Sequence, residues 1–131
     1  MPAAASPLVL VVDDMADTRR LMRRVLERDG IRVEEAATGE EAIDAIERVR
    51  PDLVVLDLRL PGVSGFDVAR WLRSQPDAEL ARTVLLACSA SVQPDIQREA
   101  LDAGCDAFEG KPFDVNRFAD RIRQLLAQPR P

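Results

Sequence analysis

Five residues of this chain are of the right types to do chemistry together: Asp13, Asp14, Asp57, Ser89 and Lys111. Three carboxylates brought into one place repel one another and call for a cation. With oxygen donors alone, and neither imidazole nor thiolate beside them, the ion that fits is a hard one, Mg²⁺ before others. Mg²⁺ keeps several waters and pairs one or two carboxylates with phosphate oxygens, so a phosphoryl group carried by Asp57 suits the set. Lys111 would meet one phosphoryl oxygen as a point charge, and Ser89 would donate a hydrogen bond to another. This is phosphoryl transfer by positioning and electrostatics, with a carboxylate as nucleophile. Lys111 also stands out by composition, as the one lysine beside 17 arginines.

Such chemistry needs elements that carry these residues to one edge. Leu8 to Val12 is wholly apolar, as a buried parallel strand should be, and Asp13 and Asp14 follow it. Leu53 to Leu56 is a second such run, leading into Asp57; Val84 to Ala87 precedes Ser89, and the short Ala107–Phe108 pair precedes Lys111. Ile31 to Ala36 reads as a weaker strand, suited to an edge. Helical stripes lie between the strands. Asp17 to Asp29 carries Leu21, Val25 and Leu26 and is stopped by Gly30. Thr38 with Glu41, and Ser64 with Asp67, form capping boxes that open the next two helices. The stripe of the first is Ala42, Ile46 and Val49; the second carries Phe66, Ala69 and Leu72, with Trp71 as core or half-exposed packing. Ile96, Ala100 and Ala103 mark a fourth helix ended by Gly104. Phe118, Ile122, Leu125 and Leu126 mark a fifth, capped by Asp114. Five strands alternating with five helices imply an α/β, doubly wound parallel sheet covered on both faces. In such sheets ligands bind beyond the carboxyl ends of the strands, which is where the candidate residues fall.

Composition narrows the function classes. A chain of 131 residues, 47% hydrophobic and 31% charged, is one ordinary globular domain. No apolar run approaches the roughly 20 residues of a membrane span, and MPAAASP has no positive n-region or long apolar stretch, so a cytoplasmic protein is expected. The absence of histidine removes histidine metal sites and Ser-His-Asp triads. A net charge of -5 argues against direct nucleic-acid binding. Cys88 and Cys105 form no metal knuckle and read as buried, inert thiols. The ends, MPAAAS and QPRP, read as frayed termini, and the initial Met favours a single-domain protein over a piece of a longer regulator or hybrid kinase.

The stretches VLVVDD (Val9 to Asp14), LVVLDLRLPGVSG (Leu53 to Gly65), LLACSAS (Leu85 to Ser91) and ALDAGCDAFEGKPF (Ala100 to Phe113) occur in this order, each at a predicted strand. Together they resemble the receiver domain of bacterial response regulators, the family of the chemotaxis regulator, over about residues 8–127. The resemblance implies a sheet of order 2-1-3-4-5. It implies that Asp57 is the phosphoacceptor, that Asp14, Asp57 and the Arg59 carbonyl bind Mg²⁺ directly, and that Asp13 holds metal-bound water. Lys111 would pair with phosphate, followed by a cis peptide at Pro112. Ser89 would be the switch hydroxyl and Phe108 the switch aromatic, here without the hydroxyl of the Tyr found in many members. Arg59 and Ser91 fall where the family tunes water access.

The implied partners are a sensor histidine kinase or a histidine phosphotransfer protein, and a downstream target protein. A phosphorylation-dependent homodimer is a family habit. Such a domain is no enzyme beyond assisting its own phosphorylation and dephosphorylation. The arginines of the first helix (Arg19, Arg20, Arg23, Arg24, Arg28) are either a solvated face or a docking surface, with Met15, Leu21 and Met22 adding apolar contact. Two other functions remain for comparison. A phosphorylation-independent interaction module would be favoured by loss of an acidic residue or of the lysine, and all are present. A flavodoxin-like cofactor binder needs a Ser/Thr/Gly-rich loop after the first strand, where this chain has DDMADT.

Overall fold

The computed structural model describes residues 6–111 and 114–128. Elements run β1 (Leu8–Val12), α1 (Ala16–Arg28), β2 (Arg32–Ala36), α2 (Gly39–Val49), β3 (Leu53–Asp57), α3 (Gly65–Arg73), α4 (Ala78–Ala81), β4 (Val84–Ser89), α5 (Pro94–Ala103), β5 (Ala107–Gly110) and α6 (Val115–Ala127). The strands form one parallel sheet of order β2-β1-β3-β4-β5, the order expected. The weak strand, β2, is at an edge. Pro112 lies outside the described residues, as do the expected frayed ends apart from Ser6 and Gln128.

The apolar strands are buried on both faces, and alternation sorts their side chains into two cores. Leu10, Val12, Val54, Leu56, Leu85 and Ala87 meet α2, α3 and α5 through Ala42, Ile46, Val68, Leu72 and Ala100. Val9, Val11, Leu53, Val55, Leu86 and Cys88 meet α1 and α6 through Met22, Leu26, Phe118 and Ile122. Both cysteines are free and buried. Burial pushes both thiols up, Cys105 to about 11.

Local signals account for most helix ends. Ser64 and Asp67 form a reciprocal capping box, at 3.1 and 3.2 Å. Thr38 Oγ1 accepts from the Glu41 N–H, while the Glu41 carboxylate reaches one residue further back, to the Ala37 N–H. Asp114 accepts from the Asn116 and Arg117 N–H groups.

Four expectations are corrected. The described residues contain a sixth helix, α4, a single turn capped by Asp77 and too short to show a stripe. Strand β4 runs on through Cys88 and Ser89, and β5 through Glu109 and Gly110, because ladder pairing continues past the apolar residues. On α1 the buried residues are Met22, Val25 and Leu26, and Leu21 is 45% exposed. A phase error of one residue, about 100° of helix, turns Leu21 outward and Met22 inward. Met22 therefore belongs to the core, and the apolar side chains exposed on or beside α1 are Met15 and Leu21.

Candidate functional site

The carboxyl ends of β1, β3, β4 and β5 meet at one edge, and the expected residues converge there. Asp57 is the last residue of β3 and Ser89 the last of β4, with Asp57 opposite Cys88 in the ladder. Asp13 follows β1, where its N–H donates to the Ala36 carbonyl of β2. Lys111 follows β5, and its N–H donates to the Ser89 carbonyl at 2.8 Å. Carboxylate oxygens of Asp13, Asp14 and Asp57 all lie within 4.8 Å of one another. Asp13 and Asp57 are buried; Asp14 is exposed.

The two buried carboxylates are held in the same way. One oxygen of each accepts from the backbone two residues on: Asp13 Oδ1 from the Met15 N–H at 2.8 Å, and Asp57 Oδ1 from the Arg59 N–H at 3.0 Å. These are Asx turns, which orient a short acidic side chain with its own loop. The other oxygen of each meets Lys111, whose Nζ is 2.6 Å from Asp13 Oδ2 and 3.0 Å from Asp57 Oδ2. One ammonium thus bridges two buried acids.

Electrostatics follow from that geometry. Burial pushes the Asp57 carboxyl above its ordinary value, and the Asp13 charge adds to this, while the Arg59 N–H and the Lys111 ammonium oppose it. Burial works to lower Lys111, but hydrogen bonds to Asp13 and Asp57 and their charges carry it above the usual lysine range. The all-oxygen donor set fits a hard divalent cation, and the ammonium on Asp13 and Asp57 marks the place as one that needs positive charge.

Ser89 is buried, and its Oγ accepts from the Ser91 N–H at 3.1 Å, so its own proton remains available to a ligand. Phe108 is half-buried on β5 and packs on the core beneath α5. Arg59 reaches the site through its backbone N–H, and its side chain is exposed.

Two buried residues of the site-bearing elements escaped the sequence reading. Gly65, the first residue of α3, lies so close to β3 that an added Cβ would be 2.3 Å from the Asp57 carbonyl oxygen; the second glycine of PGVSG is its only sequence signal. Glu109 is buried on the face of β5 opposite Phe108 and pairs with Arg117 of α6 at 3.2 Å. Nothing in a four-residue strand distinguishes it beforehand.

A five-stranded 2-1-3-4-5 sheet with an acid cluster and a lysine at its carboxyl edge defines a class, and comparison with known proteins bears it out. The family model of the response regulator receiver domain matches residues 9–123, and the chain belongs to that family, which serves two-component systems. Among curated relatives, the chain is 33% identical to the polar-differentiation response regulator DivK of Brucella anthropi, over 90% of this chain and 94% of that protein. Among solved structures, the Francisella response regulator 1452 receiver domain superposes with a TM-score of 0.85 at 28% identity, covering 92% of this chain and 97% of that one. The Vibrio cholerae chemotaxis protein CheY4 gives a TM-score of 0.85 at 27% identity, covering 92% and 98%. Among the described residues no helix is long and apolar enough to cross a membrane.

Proposed function

We propose that this receiver domain accepts a phosphoryl group on a carboxylate oxygen of Asp57 and acts as a signalling switch. The donor is the phosphohistidine of a sensor histidine kinase or histidine phosphotransfer protein. An O–P bond forms at Asp57 as the N–P bond to the histidine breaks. A carboxylate attacks without losing a proton, so no general base is required, in keeping with a site that has no histidine.

The observation that carries this reading is the Lys111 ammonium shared between Asp13 and Asp57. A cation already seated on the acceptor is poised to follow the new charge onto a phosphoryl oxygen. The backbone of Arg59 and the Lys111 ammonium hold the Asp57 side chain in one orientation for attack. Ser89 then donates its free proton to a phosphoryl oxygen. Asp13, Asp14, Asp57 and the Arg59 carbonyl are the groups that would hold Mg²⁺. Bound there, it supplies positive charge to phosphoryl oxygens as the transfer proceeds.

Movement of Ser89 toward the phosphoryl group vacates space beside β4, and the half-buried Phe108 turns inward to fill it. The α5–β5–α6 face then changes and is read by a target protein or a second copy, or the group passes on to another histidine. On this reading the domain is a cytoplasmic switch and no enzyme in its own right.

Binding of beryllofluoride, a phosphoryl mimic, tests the site. Amide signals at Asp57, Ser89 and Phe108 should shift on adding beryllofluoride with Mg²⁺, and should not shift in Asp57→Asn. Shifts that persist in the variant, or a wild type that never responds, would contradict the proposal; the second result would favour a phosphorylation-independent interaction module.

A further inference from the structure

The loop from Asp13 to Met15 carries two of the three clustered acids, and α1 begins after it without a side-chain cap. An uncapped loop whose Asp14 and Met15 are exposed is a poor mount for groups that must converge. Asp13 has its own anchors, but the Asp14 carboxylate has no hydrogen-bond or ionic partner among the described residues. Its direction is inherited from its backbone. The peptide unit that sets that backbone is formed by the Asp13 carbonyl and the Asp14 N–H.

That carbonyl is gripped from α1. Arg19 Nη1 donates to the Asp13 carbonyl oxygen at 2.7 Å. The same guanidinium donates through Nε to Glu35 Oε1 at 3.0 Å, and Glu35 Oε2 accepts from Arg23 Nε at 2.6 Å. Burial works to raise the Glu35 carboxyl, but the two arginines bring it below its ordinary value. Glu35 stands on β2, one residue before Ala36, whose carbonyl takes the Asp13 N–H. The Arg19 side chain is only 17% exposed. A planar guanidinium with donors on two edges, one on a backbone carbonyl and one on a fixed carboxylate, has little freedom. It fastens the peptide before Asp14 to the neighbouring strand.

We propose that Arg19 is a positioning residue for the metal-binding acids. It orients the Asp13–Asp14 peptide, with Glu35 and Arg23 holding the guanidinium in place. This inference rests on the Mg²⁺ reading of the site given above. It also makes a prediction opposite in sign to that of simple charge. A nearby cation repels Mg²⁺, so removing Arg19 for its charge alone would tighten binding. Removing it as a positioning group weakens binding, because partners behind metal ligands cost 10–100-fold in affinity when lost.

The test is calorimetric titration of the unphosphorylated full chain with Mg²⁺, with folding checked by circular dichroism. Arg19→Met, which keeps the stem, should weaken Mg²⁺ binding by about tenfold, and Arg19→Lys should recover part of the loss. Arg20→Ala, which removes an exposed arginine paired with Asp17, should bind as wild type does. Unchanged or tighter binding by Arg19→Met would overturn the proposal. If that variant does not fold, Arg19→Lys decides: intermediate binding supports the proposal, and wild-type binding overturns it. A wild type that binds no Mg²⁺ would instead overturn the reading of the site itself, a separate and recognisable failure.

Discussion

Lys111→Met removes the ammonium and keeps the stem. The variant leaves two buried carboxylates, Asp13 and Asp57, with oxygens within 4.8 Å of each other. At an effective dielectric constant of about 20, two unit charges at that distance repel by about 3.5 kcal/mol. The protein can escape by protonating one of them, which at pH 7 costs about 4 kcal/mol for an ordinary carboxyl. Repulsion and protonation are therefore nearly balanced, and together they bound the loss. Stripping one partner from a buried ion pair costs about 3–5 kcal/mol. Lys111 is 21% exposed, which places this site at the lower end, near 3 kcal/mol. Urea denaturation in EDTA at about pH 7 should show a midpoint lower by roughly 1–2 M.

The pH dependence has a definite sign. Asp57 is already raised in the folded protein, and loss of the ammonium raises it further. The folded variant then keeps a proton that the unfolded chain releases. Its stability falls as pH rises from the ordinary carboxylate range through the raised folded value, and recovers on acidification. The gap to wild type should narrow from neutral to mildly acidic pH, and millimolar Mg²⁺ should rescue the variant more than wild type. A difference below about 1 kcal/mol, or a gap that ignores pH, would mean that Lys111 does not hold the two buried charges together.

Other perturbations test the frame around the site. Gly65→Ala sets a Cβ 2.3 Å from the Asp57 carbonyl and 2.7 Å from Leu58 Cα. Backbone must move, so a loss of about 2 kcal/mol in thermal or urea unfolding is expected, with slower labelling of Asp57. Arg73 donates to the Gly104, Ala81 and Thr83 carbonyls and to Asp106, tying α3 to both ends of the α4–β4 and α5–β5 connections. Arg73→Met strands these acceptors and should cost about 3 kcal/mol by the same assay without altering phosphoryl chemistry. Arg50 closes α2 in the left-handed region at φ 46° and pairs with Asp77. Arg50→Gly and Arg50→Ala both lose that pair, so Gly should be more stable than Ala by about 1 kcal/mol; equality would mean the backbone there is relaxed.

Much of this arrangement was legible because the strands announce themselves. A parallel sheet buried on both faces demands apolar runs, and LVLVV, LVVL and VLLA end where the chemistry starts. Asp13, Asp14 and Asp57 could be assigned to one edge from that rule alone, whereas Lys111 rested on the short Ala107–Phe108 pair. Legibility ended where apolarity did: Cys88, Ser89, Glu109 and Gly110 extend two strands by ladder pairing that no local pattern records. Helix α4 depends on one cap, Asp77, over four residues, a length at which periodicity has no meaning. The Leu21 and Met22 exchange shows that a stripe gives a helix before it gives its phase. Long-range choices were the least visible. That Lys111 would lie across Asp13 and Asp57, or that Arg19 would grip the Asp13 carbonyl while other arginines of α1 face solvent, depends on where a flexible side chain finds acceptors from another element. Neither spacing nor type encodes that.

Intact-mass measurement after incubation with acetyl phosphate, with and without Mg²⁺, asks whether Asp57 is a metal-dependent phosphoacceptor. The wild-type chain should gain a single phosphoryl adduct that requires Mg²⁺ and is lost in Asp57→Asn. An adduct that survives in Asp57→Asn, or that forms equally well in EDTA, would contradict that role for Asp57.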